Sequence, residues 1–298
     1  MSAQSPAERT GHKDHPCDVC GGMDAVEAPY VPLYTGGQPL FICETCGFVY
    51  VRSRRSAEEI ARNWSEELYK GHYETSIPAV KARHVYVADF IDTRIGLEGA
   101  KVVDVGAGTG QFMGILRDLY KSRVFGIEPS AENCRILAAK NLDHFHGTIE
   151  QYAAKNTGVG EADVVTITWT LENCSSCKDM LGLARAILKP GGHVVVATGS
   201  RILVPFKKPL TLYLNKTPAD TNSFRFSANT LRLLLHRCGF TVSHVNRYLD
   251  TDYLCVVASK EDTDRPAPRG DNHLEVYGFF ERWHQDTLHY VTQKPDGM

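Results

Sequence analysis

Lys101–Phe112 reads KVVDVGAGTGQF. The β-branched residues in its first half indicate a buried strand, and the three glycines that follow indicate a loop that opens a helix. Such a junction presents backbone N–H groups to a ligand. The dinucleotide-binding pattern G-x-G-x-x-G would need a glycine at the position of Gln111. The spacing here is G-x-G-x-G, with Asp104 two residues before the first glycine, which argues against a dinucleotide.

Strand and helix patterns alternate after this loop. A second strand pattern, residues 123–128, ends in Glu128, 24 residues after Asp104. That separation is close to the ~20 residues typical of an acid that binds ribose hydroxyls. Residues 163–168, DVVTIT, are typical of a buried strand, and the run LKPGG at 188–192 indicates a helix end before another strand. The alternation predicts an α/β fold with an open parallel sheet and helices on both faces.

In this order, the motifs VVDVGAGTG, IEPS and LKPGG resemble those of the class I S-adenosylmethionine (SAM) dependent methyltransferases. The resemblance covers roughly residues 86–260. It implies a Rossmann-like, seven-stranded SAM-methyltransferase sheet and SAM as the cofactor. It places the methionine part and ribose near the glycine loop, the ribose hydroxyls on Glu128, and the adenine near the start of the helix after the third strand. The implied cofactor-binding residues are Asp104, Gly106, Ala107, Gly108, Gly110, Glu128, Pro129, Thr148, Ile149, Thr168 and Trp169.

Two C-x-x-C-G pairs precede this domain, formed by Cys17, Cys20, Cys43 and Cys46. Two ligands on each of two tight turns can close a tetrahedral shell of four sulfurs. We expect one structural zinc ion, with iron as the less favoured metal. Four thiolates leave no open position, so no catalytic role is assigned to the metal. The chain has nine cysteines, an odd count, and no recognisable leader, which favours a reducing, cytoplasmic location over disulfides.

Composition is that of an ordinary globular protein, with 43% hydrophobic residues among 298. Lys plus Arg number 33 against 35 Asp plus Glu, a formal net charge of −2, so nothing favours nucleic acid as a partner. No apolar run reaches the ~18 residues of a membrane helix.

The predicted organisation is a disordered start at 1–16, a zinc-ribbon module at 17–52 (the cysteine module), a helical connector at 53–98, a methyltransferase domain at 99–260, and a linker with a C-terminal helix at 261–298.

The sequence identifies the general base less specifically than the cofactor-binding and metal-binding residues. His84 in the connector helix, Tyr73 in the loop before it and Glu172 after the fourth strand are the candidates. Residues 200–226, which include Lys208 and Tyr213, are expected to cover the acceptor. The aromatic periodicity of the C-terminal helix predicts either packing on its own domain or a surface for a homodimer or for the acceptor.

The layout as a whole resembles bacterial sugar methyltransferases. This resemblance implies a small-molecule acceptor, a sugar or nucleotide-sugar of a polysaccharide or natural-product pathway. Two other functions stay open from the sequence. One is a ribosomal-RNA methyltransferase whose zinc module reads RNA, and the other is a non-catalytic scaffold that keeps the SAM fold.

Overall fold

The computed structural model describes residues 13–63, 78–155, 158–206, 208–214, 222–261 and 266–292. The strands are β1 (Lys13–Asp14), β2 (Ala25–Glu27), β3 (Phe41–Cys43), β4 (Val49–Tyr50), β5 (Ser53–Arg54), β6 (Lys101–Val105), β7 (Arg123–Glu128), β8 (His144–His146), β9 (Ala162–Thr168), β10 (Leu188–Thr198), β11 (Phe224–Arg225), β12 (Thr241–Val245) and β13 (Leu254–Ser259). The helices are α1 (Ala57–Asn63), α2 (Pro78–Ile95), α3 (Gln111–Tyr120), α4 (Ala131–Ala139), α5 (Ile149–Ala154), α6 (Cys177–Ile187), α7 (Leu210–Tyr213), α8 (Ala228–Arg237) and α9 (His273–Thr292).

The main sheet has seven strands in the order β12-β13-β10-β9-β6-β7-β8. Strands β6 to β10 are parallel, while β13 is antiparallel to both β10 and β12. The central strands are buried on both faces, as their continuous β-branched runs predict. The predicted Rossmann-like fold is confirmed. Strand order reverses at β6, and ligands of open α/β sheets bind at such a switch point, beyond the carboxyl ends of the strands.

The cysteine module and the main domain share a second sheet. Its order is β11-β4-β3-β2, so the antiparallel pairing of β11 with β4 joins residues 224–225 to residues 49–50. The boundaries predicted at 52 and 99 therefore do not separate two independent sheets. Sequence periodicity could not show this, because β11 has only two residues.

The predicted disordered start, 1–16, is wrong for its last residues. Strand β1 pairs antiparallel with β5, and the His15 N–H donates to the Arg52 carbonyl over 2.9 Å. These backbone hydrogen bonds order a segment whose polar composition favours disorder. Residues 1–12 lie outside the described ranges.

Helix α9 packs on its own chain. Its buried residues Val276, Phe280 and Trp283 share a core with the cysteine module. Ile202, Leu210 and Leu214 belong to the same core. The Trp283 indole N–H donates to the Lys208 carbonyl over 2.8 Å. Of the alternatives for this helix, the structure shows intramolecular packing, and the homodimer through its apolar face gains no support. Within the described ranges, no helix combines the length and apolar character that a bilayer crossing needs.

Candidate active site

A cavity of about 470 Å³ opens at the carboxyl edge of the main sheet. Its walls come from the loops after β6, β7, β8, β9 and β10, together with α2 and the residues Lys208, Tyr213, Asn222 and Arg225. Of the sequence-predicted site residues, those lining it are Asp104, Gly106, Ala107, Gly108, Glu128, Pro129, Thr148, Ile149, Thr168, Trp169, His84 and Glu172. Tyr73 lies outside the described residues. The structure thus brings together cofactor candidates and base candidates that are far apart in the chain.

The glycine loop needs glycine at its first and last positions. Gly106 has φ +75°, and a Cβ there would overlap the Thr170 side chain. Gly110 has φ +73°, and a Cβ there would lie 2.5 Å from Leu137 Cδ2. Residues other than glycine rarely adopt a backbone conformation with such a positive φ. Gly110 is buried at the loop's base and does not line the cavity, so its part is to let the loop pack on α4.

Glu128, the last residue of β7, is hydrogen-bonded to the glycine loop. Its Oε2 accepts the Gly108 N–H at 2.7 Å, and its Oε1 accepts the Ser130 N–H at 2.8 Å and the Asn133 Nδ2 at 3.2 Å. Burial raises the pKa of Glu128, while these donors oppose that shift. The carboxylate therefore sits at the cavity wall with its orientation set by three N–H groups.

Asp104 lies in the centre of the sheet, at the end of β6. The parallel register places it opposite Thr166 of β9, whose hydroxyl donates to Asp104 Oδ1 over 2.6 Å. Burial raises the pKa of Asp104 to about 7. Thr166 was missed from the sequence, because only the strand register shows that it faces an acid.

His84 reaches the cavity from α2. Its Nδ1 is 3.1 Å from Gln111 Oε1, and its ring packs 5.2 Å from the Trp169 ring and 5.5 Å from the Phe112 ring, centroid to centroid. Burial lowers the pKa of His84 to about 4. The ring is therefore neutral near pH 7, and because Nδ1–H donates to the amide oxygen, Nε2 carries the lone pair.

A charged wall, formed by Glu172, Arg225, Lys208 and Tyr213, also lines the cavity. Glu172 lies in a short 3-10 turn after β9, and Arg225 lies at the end of β11. Both are buried and both line the cavity, as do Lys208 and Tyr213. Lys208 and Tyr213 come from the segment expected to cover the acceptor. Arg225 was missed, because a two-residue strand without a motif leaves no signal in the sequence.

The four predicted metal ligands form one cluster. The sulfur atoms of Cys17, Cys20, Cys43 and Cys46 all lie within 4.8 Å of one another. The Cys17–Cys46 sulfurs are 3.6 Å apart and the Cys20–Cys43 sulfurs 3.4 Å apart. A tetrahedral zinc with Zn–S bonds of about 2.3 Å needs sulfurs about 3.8 Å apart, so the donor set fits zinc. The Gly22 N–H also donates to the Cys20 sulfur over 3.4 Å.

Asp18, next to Cys17, links the cysteine cluster to the first turn of α6. Its Oδ2 accepts from Arg54 Nη2 at 2.8 Å, and its Oδ1 accepts the Cys177 N–H, at the first turn of α6, at 3.0 Å. The side chains of Asp18 and Arg54 are 3% and 1% exposed. Cys174 and Cys177 are buried, and burial raises both thiol pKa values well above the usual range, which disfavours the reactive thiolate form.

Comparison with known proteins places this arrangement in context. A family model described as "Methyltransferase domain" matches residues 80–245. The ubiquinone biosynthesis O-methyltransferase of Vibrio parahaemolyticus is 33% identical over 153 residues, which are 48% of this chain and 60% of that protein. The chain spans about half the length of the curated relatives it matches, at 50 to 60%.

Solved structures share the fold at low identity. One is the Burkholderia thailandensis 1,6-didemethyltoxoflavin-N1-methyltransferase with bound S-adenosylhomocysteine, with a TM-score of 0.53, 15% identity, and coverage of 72% of this chain and 96% of that one. Another is the [4+2]-cyclase SpnF, with a TM-score of 0.52, 14% identity, and coverage of 70% and 98%. Because one of these two is a cyclase, the fold alone does not determine the reaction.

Proposed function

Since this chain belongs to the methyltransferase-domain family, we propose that it transfers a methyl group from SAM to a hydroxyl of a small-molecule acceptor. The observation that carries the proposal is the shared cavity. The glycine loop and Glu128 line the same cavity as His84 and the charged wall. A volume of about 470 Å³ is within the range of small-ligand sites, which favours a small acceptor over RNA.

In this proposal Glu128 Oε2 accepts a hydrogen bond from a ribose hydroxyl, because a carboxylate has about four acceptor positions and three are already filled by protein N–H groups. The glycine loop lies along the methionine part of SAM, and Thr148 and Ile149 flank the adenine. Asp104 lies near the positively charged methionine end, and that positive charge would favour its ionised form. Thr168 and Trp169 face the reacting atoms. SAM itself supplies the methyl group on a sulfonium sulfur.

His84 is proposed as the general base. The acceptor oxygen forms a bond to the methyl carbon while the methyl–sulfur bond breaks, and the hydroxyl proton passes to His84 Nε2. A ring that is neutral near pH 7 can take this proton. Glu172 is the other described candidate, but its carboxylate already accepts from the Thr198 side chain and the Gly199 N–H. Tyr73 stays a prediction.

The acceptor class is supported by two resemblances. The layout resembles sugar methyltransferases, which favours a sugar or nucleotide-sugar. The curated relatives carry the name ubiquinone biosynthesis O-methyltransferase, which supports oxygen as the methylated atom. We further propose that the cysteine cluster holds one structural zinc ion.

The test is a labelled-methyl screen over nucleotide sugars, hydroxylated aromatic and aliphatic metabolites, and ribosomal RNA. SAM affinity is measured separately by calorimetry. His84→Gln should lower kcat by about 10²- to 10⁴-fold and leave the SAM Kd unchanged. His289→Gln, at an exposed position on α9, is the matched control and should change neither. Label in RNA alone would overturn the acceptor class, and absence of SAM binding would overturn the whole proposal.

A further inference from the structure

Arg225 is a buried cation in the cavity wall, and the residue as a whole is 5% exposed. Its Nη1 donates to the backbone carbonyls of Asn222 and Phe224, the latter over 3.1 Å. Among the described residues, none of the ion pairs within 4.0 Å includes Arg225. Carbonyl contacts do not neutralise a guanidinium, and a buried charge without a counter-charge is costly.

Glu172 is the facing acid, and it is also incompletely paired. It is 3% exposed, and it accepts from the Thr198 side chain and the Gly199 N–H. Its Oε2 has no hydrogen-bond partner in the described part of the chain. Glu172 and Arg225 attract each other electrostatically but do not form an ion pair. Among the described residues, a carboxylate oxygen without a hydrogen-bond partner and a guanidinium without an ion pair therefore line the same cavity.

The two groups are carried by elements from different parts of the chain. Arg225 is carried by β11, which is held in place by its pairing with β4 of the cysteine module. Glu172 is carried by the 3-10 turn that follows β9 of the main sheet. Two elements thus present these groups to one cavity, and such an arrangement is pre-organised for a ligand that satisfies both.

Positive charge exceeds negative charge on this wall. The Arg225 guanidinium carbon is 5.5 Å from the centre of the Tyr213 ring, and the Lys208 ammonium is 5.7 Å from the same ring. Arg83 also lines the cavity. Glu172 is the only acid whose charge acts on Arg225 in the described structure. An anionic group placed between the two cations would balance the local charge.

We propose that Arg225, assisted by Lys208, binds an acidic group of the acceptor, a carboxylate or a phosphate, while Glu172 accepts a hydrogen bond from a hydroxyl of the same molecule. A guanidinium fork suits either anion, because both offer two oxygens in its plane. The inference rests on the proposed methyl transfer and names the feature by which that site would select its acceptor. Arg225 would determine specificity, not perform the chemistry.

The test measures binding, so it does not depend on turnover. Calorimetry in the presence of S-adenosylhomocysteine compares two matched pairs of probes: 3,4-dihydroxybenzoate with 3,4-dihydroxybenzamide, and glucose 6-phosphate with glucose. We expect the acid of at least one pair to bind about 10- to 100-fold more tightly than its neutral partner, the range typical of charge-assisted hydrogen bonds. The pair that shows the preference distinguishes carboxylate from phosphate.

Arg225→Met should abolish this preference, and Arg225→Lys should keep part of it because the charge remains without the fork. Arg232→Met, at an exposed position on α8, is the control and should retain the full preference. If Arg225→Met does not fold, the wild-type ratio alone decides. Equal binding of acid and neutral probes in both pairs, or an undiminished preference in folded Arg225→Met, would overturn the inference. Failure of SAM to bind would count against the proposed methyl transfer and is measured independently.

Discussion

Asp18→Ala should destabilise the protein strongly although Asp18 is neither a proposed metal ligand nor part of the cavity. Its carboxylate is the buried partner of Arg54, at 2.8 Å, and it caps the first turn of α6 at the Cys177 N–H, at 3.0 Å. Removal leaves an unpaired guanidinium that is 1% exposed. Breaking a buried pair from one side costs about 3–5 kcal/mol, and we expect the free energy of unfolding to fall by that amount.

Equilibrium urea unfolding of zinc-loaded protein measures this loss, with metal content determined for each variant. Arg54 also lies 4.7 Å above the Phe224 ring, where an unbranched apolar side chain can pack. Asp18→Ala/Arg54→Met should therefore cost less than Asp18→Ala alone, because no buried charge remains.

Glu161→Ala is the control. It breaks the pair with Lys101, in which the side chains are 37% and 57% exposed, and it should cost at most about 1 kcal/mol. Our reasoning would be refuted if Asp18→Ala lowered the free energy of unfolding by no more than this control does. It would also be refuted if the double variant lost as much free energy of unfolding as Asp18→Ala and Arg54→Met lose in total when measured singly.

Three further predictions concern the loop, the central acid and the metal. Gly110→Ala should lower the free energy of unfolding by about 1–3 kcal/mol, because its Cβ would meet Leu137, whereas Gly114→Ala in open space on α3 should be neutral or stabilising in the same urea assay. Burial raises the pKa of Asp104 to about 7, so the folded state keeps a proton that the unfolded chain releases near its ordinary pKa of about 3.9. The free energy of unfolding should therefore fall as pH rises from about 4 to about 7, and urea unfolding of Asp104→Asn should lack that component; an unchanged slope would contradict it. Treatment with a chelator should release about one zinc ion per chain and lower the Tm. If the purified protein releases no metal, the proposed zinc site is contradicted.

The sequence predicted those features whose signals are local. The strand before the glycine loop, the acid that ends β7 and the paired C-x-x-C turns each lie within a few consecutive residues. Their chemistry follows from residue type and spacing. The structure places the first two on one cavity wall and gathers the four sulfurs.

Features that depend on long-range pairing were not predictable in this way. Arg225 becomes part of the cavity only because β11 joins β4, and Thr166 meets Asp104 only through strand register. The periodicity of α9 predicted that Phe280 would be buried. It could not identify the cysteine module as the surface on which this side chain is buried.

The shared β11–β4 sheet has a consequence for the order of folding. All four cysteines lie within residues 17–46, so they can gather an ion as soon as that segment leaves the ribosome. The module's outermost strand, β11, is synthesised only after five of the seven strands of the main sheet, and its helical cover, α9, follows later still. During synthesis the early segment therefore exposes an unpaired strand edge and an uncovered apolar face. Until β11 and α9 have been made and pack on it, metal binding would be its main source of ordered structure.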